Sequence, residues 1–351
     1  MQKPTVYDVA QRANVSIATV SYTFHHPEKV RDKTRQRILQ AASDLGYVRN
    51  ASAVSLANKN QNALGLFAFD MLIDQKSSKH DPTVLGVDQS SFSFPLYVDE
   101  VQRGFQLECW HRHQALIVDG GDSKKSDAVA NIAGRVDGLA IFPSPASMKM
   151  DITHLSEQRP IVYFSEGRRN ENACFINCDN RSGMTMLVAH LIDKHHIHSV
   201  MFVGDLGSYD VQTRYAALQD LARSHGLSVG IIYGVGNDPD YHELKKLVKE
   251  NLLPDSFICA TDQVAILTMS YLQELNVRIP EDVIVTGFDG ILAGQLAHPT
   301  LTSVQQPMEE MGRQAVSVLI EQNGEPFRHK KIITLQVQLL VGESCGCQIN
   351  Q

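Results

Sequence analysis

With 351 residues the chain has room for two or three folded units of roughly 100–200 residues each. Its 43% apolar and 20% charged residues supply enough core material to exclude a wholly disordered chain. No run nears the roughly 18 consecutive apolar residues of a membrane-spanning helix. The start of the chain shows no apolar signal stretch, and six cysteines without a disulfide framework suit a reducing compartment, so the expected location is cytoplasmic. The net charge of −7 hides an asymmetry: positions 1–59 hold nine Lys/Arg against four acids, a net +5, while the remainder carries −12. A basic head on an acidic body points to a polyanionic partner for the head alone.

In chain order, Val6, Val9, Ala10 and Ala13 recur at helical spacing, with Thr5 placed to cap the start. Asn14-Val15 makes a turn, Ser16 caps a second helix from Ile17 to about Phe24, and His26-Pro27 ends it. Asp32 opens a third helix whose buried stripe is Ile38, Ala41, Ala42 and Leu45, and Gly46 stops it. Three short helices, the second capped directly after a tight turn, match a helix-turn-helix module or an ordinary three-helix cap. Outward-facing Ile17, Ala18, Thr19, Ser21 and Tyr22 are small or amphipathic enough to approach phosphates and thymine methyls in a major groove.

The run from Thr5 to Ser21 (T-V-Y-D-V-A-Q-R-A-N-V-S-I-A-T-V-S), the segment V-R-D-K-T-R-Q-R-I-L-Q-A-A-S-D-L-G-Y-V-R-N and the following A-S-A-V-S-L-A together resemble the head of the lactose/galactose repressor family of bacterial transcription regulators. The resemblance implies that Thr5, Tyr7, Ser16, Thr19 and Ser21 contact phosphates or bases, and that Ile17, Ala18 and Tyr22 read the operator. Tyr22 stands where the family commonly has Arg, and His25 where it often has Asn. Residues 50–57 form a linker whose helix, capped by Asn50, is well short of the roughly 12–15 residues that hold an isolated helix in water. It is expected to fold only with DNA and a partner subunit. By the same resemblance Leu56 is a minor-groove wedge and Ala53 permits close helix approach, while Ser55 departs from the usual basic or amide residue.

From Ala63 onward short apolar runs alternate with helical periods. Strands are expected at 63–69, 115–118, 138–142, 161–164, 174–176, 199–203, 229–233, 256–260 and 283–287. Helices are expected at 98–111, 183–194, 211–225, 241–251, 262–275 and 308–322. This alternation predicts parallel sheets with crossover helices, and nine strands divide naturally into two α/β lobes facing a cleft. Asp262 and Asp289 fall at strand ends, and Arg214 near Asp210 lies at a helix start. Together they form a set suited to sugar or nucleoside hydroxyls, or else each acid merely caps the helix behind it.

The segments R-V-D-G-L-A-I, C-A-T-D-Q-V-A, V-I-V-T-G-F-D-G-I, L-T-S-V-Q-Q-P, E-M-G-R-Q-A-V and G-E-S-C resemble the same family's effector-binding core, itself similar to periplasmic sugar-binding proteins. The implied effector contacts are Tyr97, Ser165, Glu166, Asp210, Arg214, Thr261, Asp262 and Asp289. Thr261 replaces a common Asn, Ser165-Glu166 a frequent Asp-Arg, and Gly290 a second Asp. The expected architecture is therefore an all-α helix-turn-helix head (1–49), a hinge helix and linker (50–62), and an α/β two-lobed, periplasmic-binding-protein-like core with parallel sheets (63–351). Segment 70–93 is an insertion loop.

His195-His196-x-His198, Cys174-x3-Cys178 and Cys345-Gly-Cys347 lack complementary zinc-site spacing, so no metal is expected. No phosphate loop or nucleophile elbow appears, so no cofactor and no catalytic residue are expected. Trp110 is expected to pack within its helix. The resulting expectation is a homodimeric, sequence-specific DNA-binding repressor, not an enzyme. Its partners are double-stranded operator DNA and a small-molecule effector of sugar or nucleoside class, sugar foremost, with no membrane partner. A solute-binding protein or an α/β hydrolase are the alternatives.

Overall fold

The computed structural model describes residues 4–25, 27–47, 61–70, 96–123, 127–144, 147, 152–169, 171–233 and 241–348. The linker readings at Asn50, Ala53, Ser55 and Leu56, and nearly all of the 70–93 insertion, lie outside them. The chain divides into two compact units, Met1–Gln61 and Asn62–Gln351.

In the first unit, α1 (Val6–Arg12), α2 (Ile17–His25) and α3 (Asp32–Leu45) surround Val9, Ala10, Ala13, Val20, Ile38, Ala41 and Ala42. These residues are small because three short helices must approach closely around one centre. Thr5 caps α1 with its amide and hydroxyl both donated to Asp8 Oδ2 at 2.7 Å. Ser16 Oγ accepts from the Thr19 amide at 3.2 Å at the head of α2. Asp32 is the first helical residue of α3, with Arg31 in the capping position, and Gly46 closes that helix at φ +62°, a left-handed conformation that glycine adopts without Cβ strain.

The second unit holds two six-stranded sheets. The first has the order β2 (Ala115–Gly121), β1 (Ala63–Phe69), β3 (Gly138–Phe142), β4 (Ile161–Phe164), β5 (Cys174–Cys178), β11 (Lys331–Leu335), and every pair is parallel. β1, β3, β4 and β5 are buried at every position, as continuous apolar runs must be when helices cover both faces of a parallel sheet. The second sheet has the order β7 (Ser228–Ile232), β6 (Ser199–Val203), β8 (Ser256–Cys259), β9 (Ile284–Asp289), β10 (Thr302–Gln305), β12 (Gln338–Leu340). Its last pair is antiparallel.

The helices of the first lobe are α4 (Leu96–His111), α5 (Asp127–Ala133) and α6 (Thr153–Ser156). Those of the second are α7 (Asn180–His195), α8 (Tyr209–His225), α9 (His242–Lys249), α10 (Asp262–Glu274) and α11 (Leu292–Gln295). The helix α12 (Met308–Gln322) follows β10 yet packs on α4 in the first lobe. A Cβ on Gly104 would lie 1.9 Å from the Glu309 carbonyl oxygen, and one on Gly312 would lie 2.1 Å from that of Val101. Only glycine lets these two backbones meet so closely. The chain thus passes between the lobes three times: after β5, between β10 and α12, and between β11 and β12.

Several expectations need correction. Three strands, β10, β11 and β12, were not expected: β10 is polar-rich (TSVQ), and β11 (KIITL) and β12 (QLL) are short runs near the chain's end. Thr302 and Ser303 in β10 are buried nonetheless, and their hydroxyls donate to the Gly342 carbonyl and to Asp262. Asp289 closes β9 rather than following it, and α5 was missed. Trp110 is 71% exposed on α4 and tilts only against the neighbouring His111 ring, so it does not pack as expected. No helix among the described residues is long and apolar enough to cross a membrane.

Candidate functional site

On the head, Tyr7, Ile17, Ala18, Ser21 and Tyr22 are exposed, while Val20 on the opposite face of α2 is fully buried. One turn of α2 thus separates what packs from what faces outward. Ser16 and Thr19 share a hydrogen bond at 2.8 Å, and Thr23 donates to the Thr19 carbonyl. Beside them Thr19, Tyr22, Lys29, Val30, Arg31 and Thr34 line a groove of about 340 Å³. A groove with two cations on one rim and hydroxyls on the helix is suited to a phosphate backbone running past a helix seated in a groove of DNA.

In the second unit, the polar residues gather where β5, β8 and β9 end and α7, α8 and α10 begin. Ser208 caps α8 and sets Asp210 in its first turn and Arg214 one turn later. Arg214 is 2% exposed. Its Nε donates to Asn180 Oδ1 at 2.8 Å and its Nη1 to the Ala260 carbonyl at 2.6 Å; Nη1 also stands 3.5 Å from Asp289 Oδ1, and Nη2 3.9 Å from Asp210 Oδ2. The guanidinium carbon lies 3.6 Å from the centre of the Phe288 ring, a cation–π placement. Asn180 Nδ2 donates to Asp210 Oδ1 at 2.8 Å, and Gln306 Nε2 to Asp289 Oδ1 at 2.6 Å.

Burial opposes the charge on Arg214, but Asp289 and its other partners more than offset it, and the pKa is raised. Burial pushes the Asp289 carboxyl up, and Arg214 only partly restrains it. One guanidinium facing two buried carboxylates explains the balance.

From the first lobe comes Tyr97, in the first turn of α4. Burial, then the charges of Asp210 and Asp289, hold its phenol above the ordinary value. Its ring meets Phe142 edge-on at 6.1 Å, and Phe142 stacks on Phe164 at 4.6 Å. Ser165 follows, at φ +53°, with a buried hydroxyl that, among the described residues, has only the Tyr97 phenol beside it. Gln306 Oε1 is buried and unpartnered. The lobes touch beside this cluster: a Cβ on Gly167 would lie 2.5 Å from Tyr209 Cζ, and Arg168 Nη1 reaches Gln212 Oε1 at 3.4 Å.

Tyr97, Ser165, Asp210, Arg214 and Asp289 therefore converge. The other three expected residues are engaged locally. Glu166 accepts the Gly167 and Arg168 amides at 2.9 and 2.5 Å and pairs with the Arg168 side chain at 3.3 Å. Thr261 caps α10 through the Val264 amide. Asp262 accepts the Ser303 hydroxyl at 2.5 Å and the Ile291 amide at 2.9 Å. Sequence reasoning missed Asn180, Phe288 and Gln306. Asn180 opens a helix directly after a strand, a signal that was available, whereas Gln306 sits at a lobe crossing that periodicity does not mark.

Comparison with known proteins finds a match for each of the two units. Residues 5–50 match the bacterial regulatory proteins of the lacI family, and residues 188–345 match the periplasmic binding protein-like domain. The HTH-type transcriptional repressor PurR of Pasteurella multocida is 24% identical over 349 residues, covering 97% of this chain and 98% of that protein. Among solved structures, the lac repressor dimer bound to operator and the anti-inducer ONPF has a TM-score of 0.77 at 20% identity, over 98% of this chain and 99% of that one. The transcriptional regulator CelR in complex with cellobiose has a TM-score of 0.63 at 21% identity, over 97% of this chain and 99% of the other. With a lacI-type head and a two-lobed, periplasmic-binding-protein-like core in one chain, and regulators rather than enzymes as the relatives it matches over nearly its whole length, the chain has the domain make-up of a LacI-type DNA-binding transcriptional repressor with an effector-binding domain.

Proposed function

We propose that operator affinity is set by a sugar bound between the two lobes, contacted by Tyr97, Ser165, Asp210, Arg214 and Asp289, with Asn180 and Gln306 added to the set. The observation that carries this reading is the buried, unpartnered Gln306 Oε1, together with a Ser165 hydroxyl that has only the Tyr97 phenol beside it, next to the Arg214–Asp289–Asp210 cluster. Buried polar groups without partners are uncommon in folded proteins. A polyhydroxylated ring brings donors and acceptors to both while an apolar face meets the Tyr97 side. The cellobiose bound by CelR supports the same class. Asp262, Thr261 and Glu166 act as braces for the site's loops rather than as first contacts.

The head, residues 1–49, reads a near-palindromic operator through Thr5, Tyr7, Ser16, Ile17, Ala18, Thr19, Ser21 and Tyr22. The segment 50–62 couples it to the core at 63–351, and two chains pair so that both half-sites are engaged. Affinity for the operator falls steeply with salt because Lys and Arg displace phosphate counterions.

Thermal-shift screening against monosaccharides, disaccharides and purines, followed by operator anisotropy with and without the best ligand, tests the proposal. A sugar that shifts both is the expected result. A purine that shifts both while every sugar is silent overturns the sugar assignment. A chain lacking residues 1–58 is expected to keep the ligand-induced shift and lose the operator; retention of operator binding rejects the division of labour.

A further inference from the structure

Four metal-ligating side chains meet at the far end of α7, away from the cleft cluster that begins that helix. His190 and His195 lie on its last turns, and Cys345 and Cys347 come from the C-terminal segment some 150 residues later. Cys345 Sγ is 3.6 Å from His190 Nε2, and Cys347 Sγ is 3.7 Å from the same nitrogen and 3.4 Å from His195 Nε2. All four ligand atoms lie within 4.8 Å of one another.

We propose that His190, His195, Cys345 and Cys347 form a structural zinc-class metal site that ties the C-terminal segment to α7. With Zn–S near 2.3 Å and Zn–N near 2.0–2.1 Å, a tetrahedral ion separates its sulfur and nitrogen ligands by about 3.5 Å, close to each distance given above. Two thiolates and two imidazoles are the donor set that favours zinc over oxygen-seeking cations. Four protein ligands leave no open position, so the role is structural.

The local backbone supports this arrangement. Gly346, between the cysteines, has φ +93° and donates its amide to the Glu343 carbonyl at 2.8 Å. A glycine in this left-handed turn lets both sulfurs reach the same helix end. His196, with φ +53°, turns the chain out of α7, and neither it nor His198 belongs to the four. The histidine run in the sequence is therefore misleading: one of its members ligates, and its partners are one turn back on the helix and at the other end of the chain.

The test uses the full chain, purified in reductant, stripped with a chelator and titrated with zinc and with cobalt. Uptake of one ion per chain is expected, with a rise in melting temperature, the visible bands of tetrahedral cobalt and a thiolate-to-cobalt charge-transfer band. Cys347→Ser and His195→Gln each change a half-buried position, and circular dichroism checks that they fold. Each should weaken zinc by more than the roughly 10–100-fold that loss of an outer-shell partner costs, and His198→Gln should leave it unchanged. Failure of the reduced, stripped chain to take up zinc overturns the proposal. So does equal uptake by the wild type and both ligand variants, or a cobalt spectrum without thiolate bands.

Discussion

On the first lobe's side of the cleft, Tyr97 stands edge-on to Phe142, which stacks on Phe164, and Ser165 adds a hydroxyl. On the second lobe's side, Arg214 is held by Asn180, the Ala260 carbonyl, Asp210 and Asp289 before any ligand arrives. One wall is mainly aromatic, with the Tyr97 phenol and the Ser165 hydroxyl as its polar points among the described residues; the other is a hydrogen-bonded charge cluster already fixed in position. The contrast assigns different tasks to the walls. On the proposed effector reading, orientation and specificity fall to the charged wall, where the donors are pre-placed, and closure draws on burial against the aromatic wall.

The severest challenge to this division is Arg214→Ala. It leaves Asp210 and Asp289 buried without their cation, which should cost about 3–5 kcal/mol of stability and abolish the effector response. Urea denaturation and effector-dependent operator titration measure the two effects. Intact stability together with an intact response would place the charged wall elsewhere. Next comes Gly167→Val, which sets a side chain against Tyr209. The clash should hold the lobes apart and weaken the effector by about 1–3 kcal/mol, the usual cost of overpacking. Small-angle scattering should then lose the compaction that effector produces in the wild type, and full compaction would show that this contact does not limit closure.

A pH series sharpens the electrostatic half of the comparison. Burial raises the folded-state pKa of Asp289 above the ordinary 3.8, so the native state holds this proton more tightly than the unfolded chain does. The group's contribution is complete below pH 3.8 and is lost as pH rises through its folded value. Asp289→Asn should therefore flatten the decline in melting temperature on the way to neutrality; an identical slope in both proteins would contradict the assignment. The smallest effect is expected on the aromatic wall. Ser165→Ala removes a hydroxyl whose nearest polar neighbour is the Tyr97 phenol, so stability without effector should change little, while calorimetry should show effector affinity lower by about 0.5–1.5 kcal/mol. Undiminished affinity would leave the Tyr97 phenol as the only polar contact of that wall among the described residues.

The head was almost entirely legible because its determinants are contiguous: Thr5, Ser16 and Gly46 mark helix ends within the stretch they punctuate, and Val9, Val20 and Ile38 announce one core. The buried strands were legible for the same local reason. The cleft was half legible. Arg214 and Asp210 are one helical turn apart, but Asn180, which bonds both, and Gln306, which bonds Asp289, are remote in sequence and carry no periodic signal. Asp262 was equally hard to read from the sequence. A buried acid at a strand end reads as a ligand, yet its oxygens are used by Ser303 and by the Ile291 amide, which only the packed structure reveals. β10 escaped notice because Thr302 and Ser303 are buried polar residues, and hydrophobic patterning cannot detect a core position filled by a satisfied hydroxyl.

The threefold passage of the chain between the lobes also governs how the protein is made. The first lobe begins at β1 but ends with β11, and its helix α12 must seat its glycine against Gly104 on α4. During synthesis the first five strands emerge long before their sixth partner, and the second lobe's sheet is five strands complete before α12 arrives. Such distant pairings are slow to form because the intervening chain must be closed first. The lobe synthesised first therefore waits for a helix and a strand made near the end of the chain, and a ribosome that stops after residue 305 releases a core whose α4 face and β5 edge are uncovered.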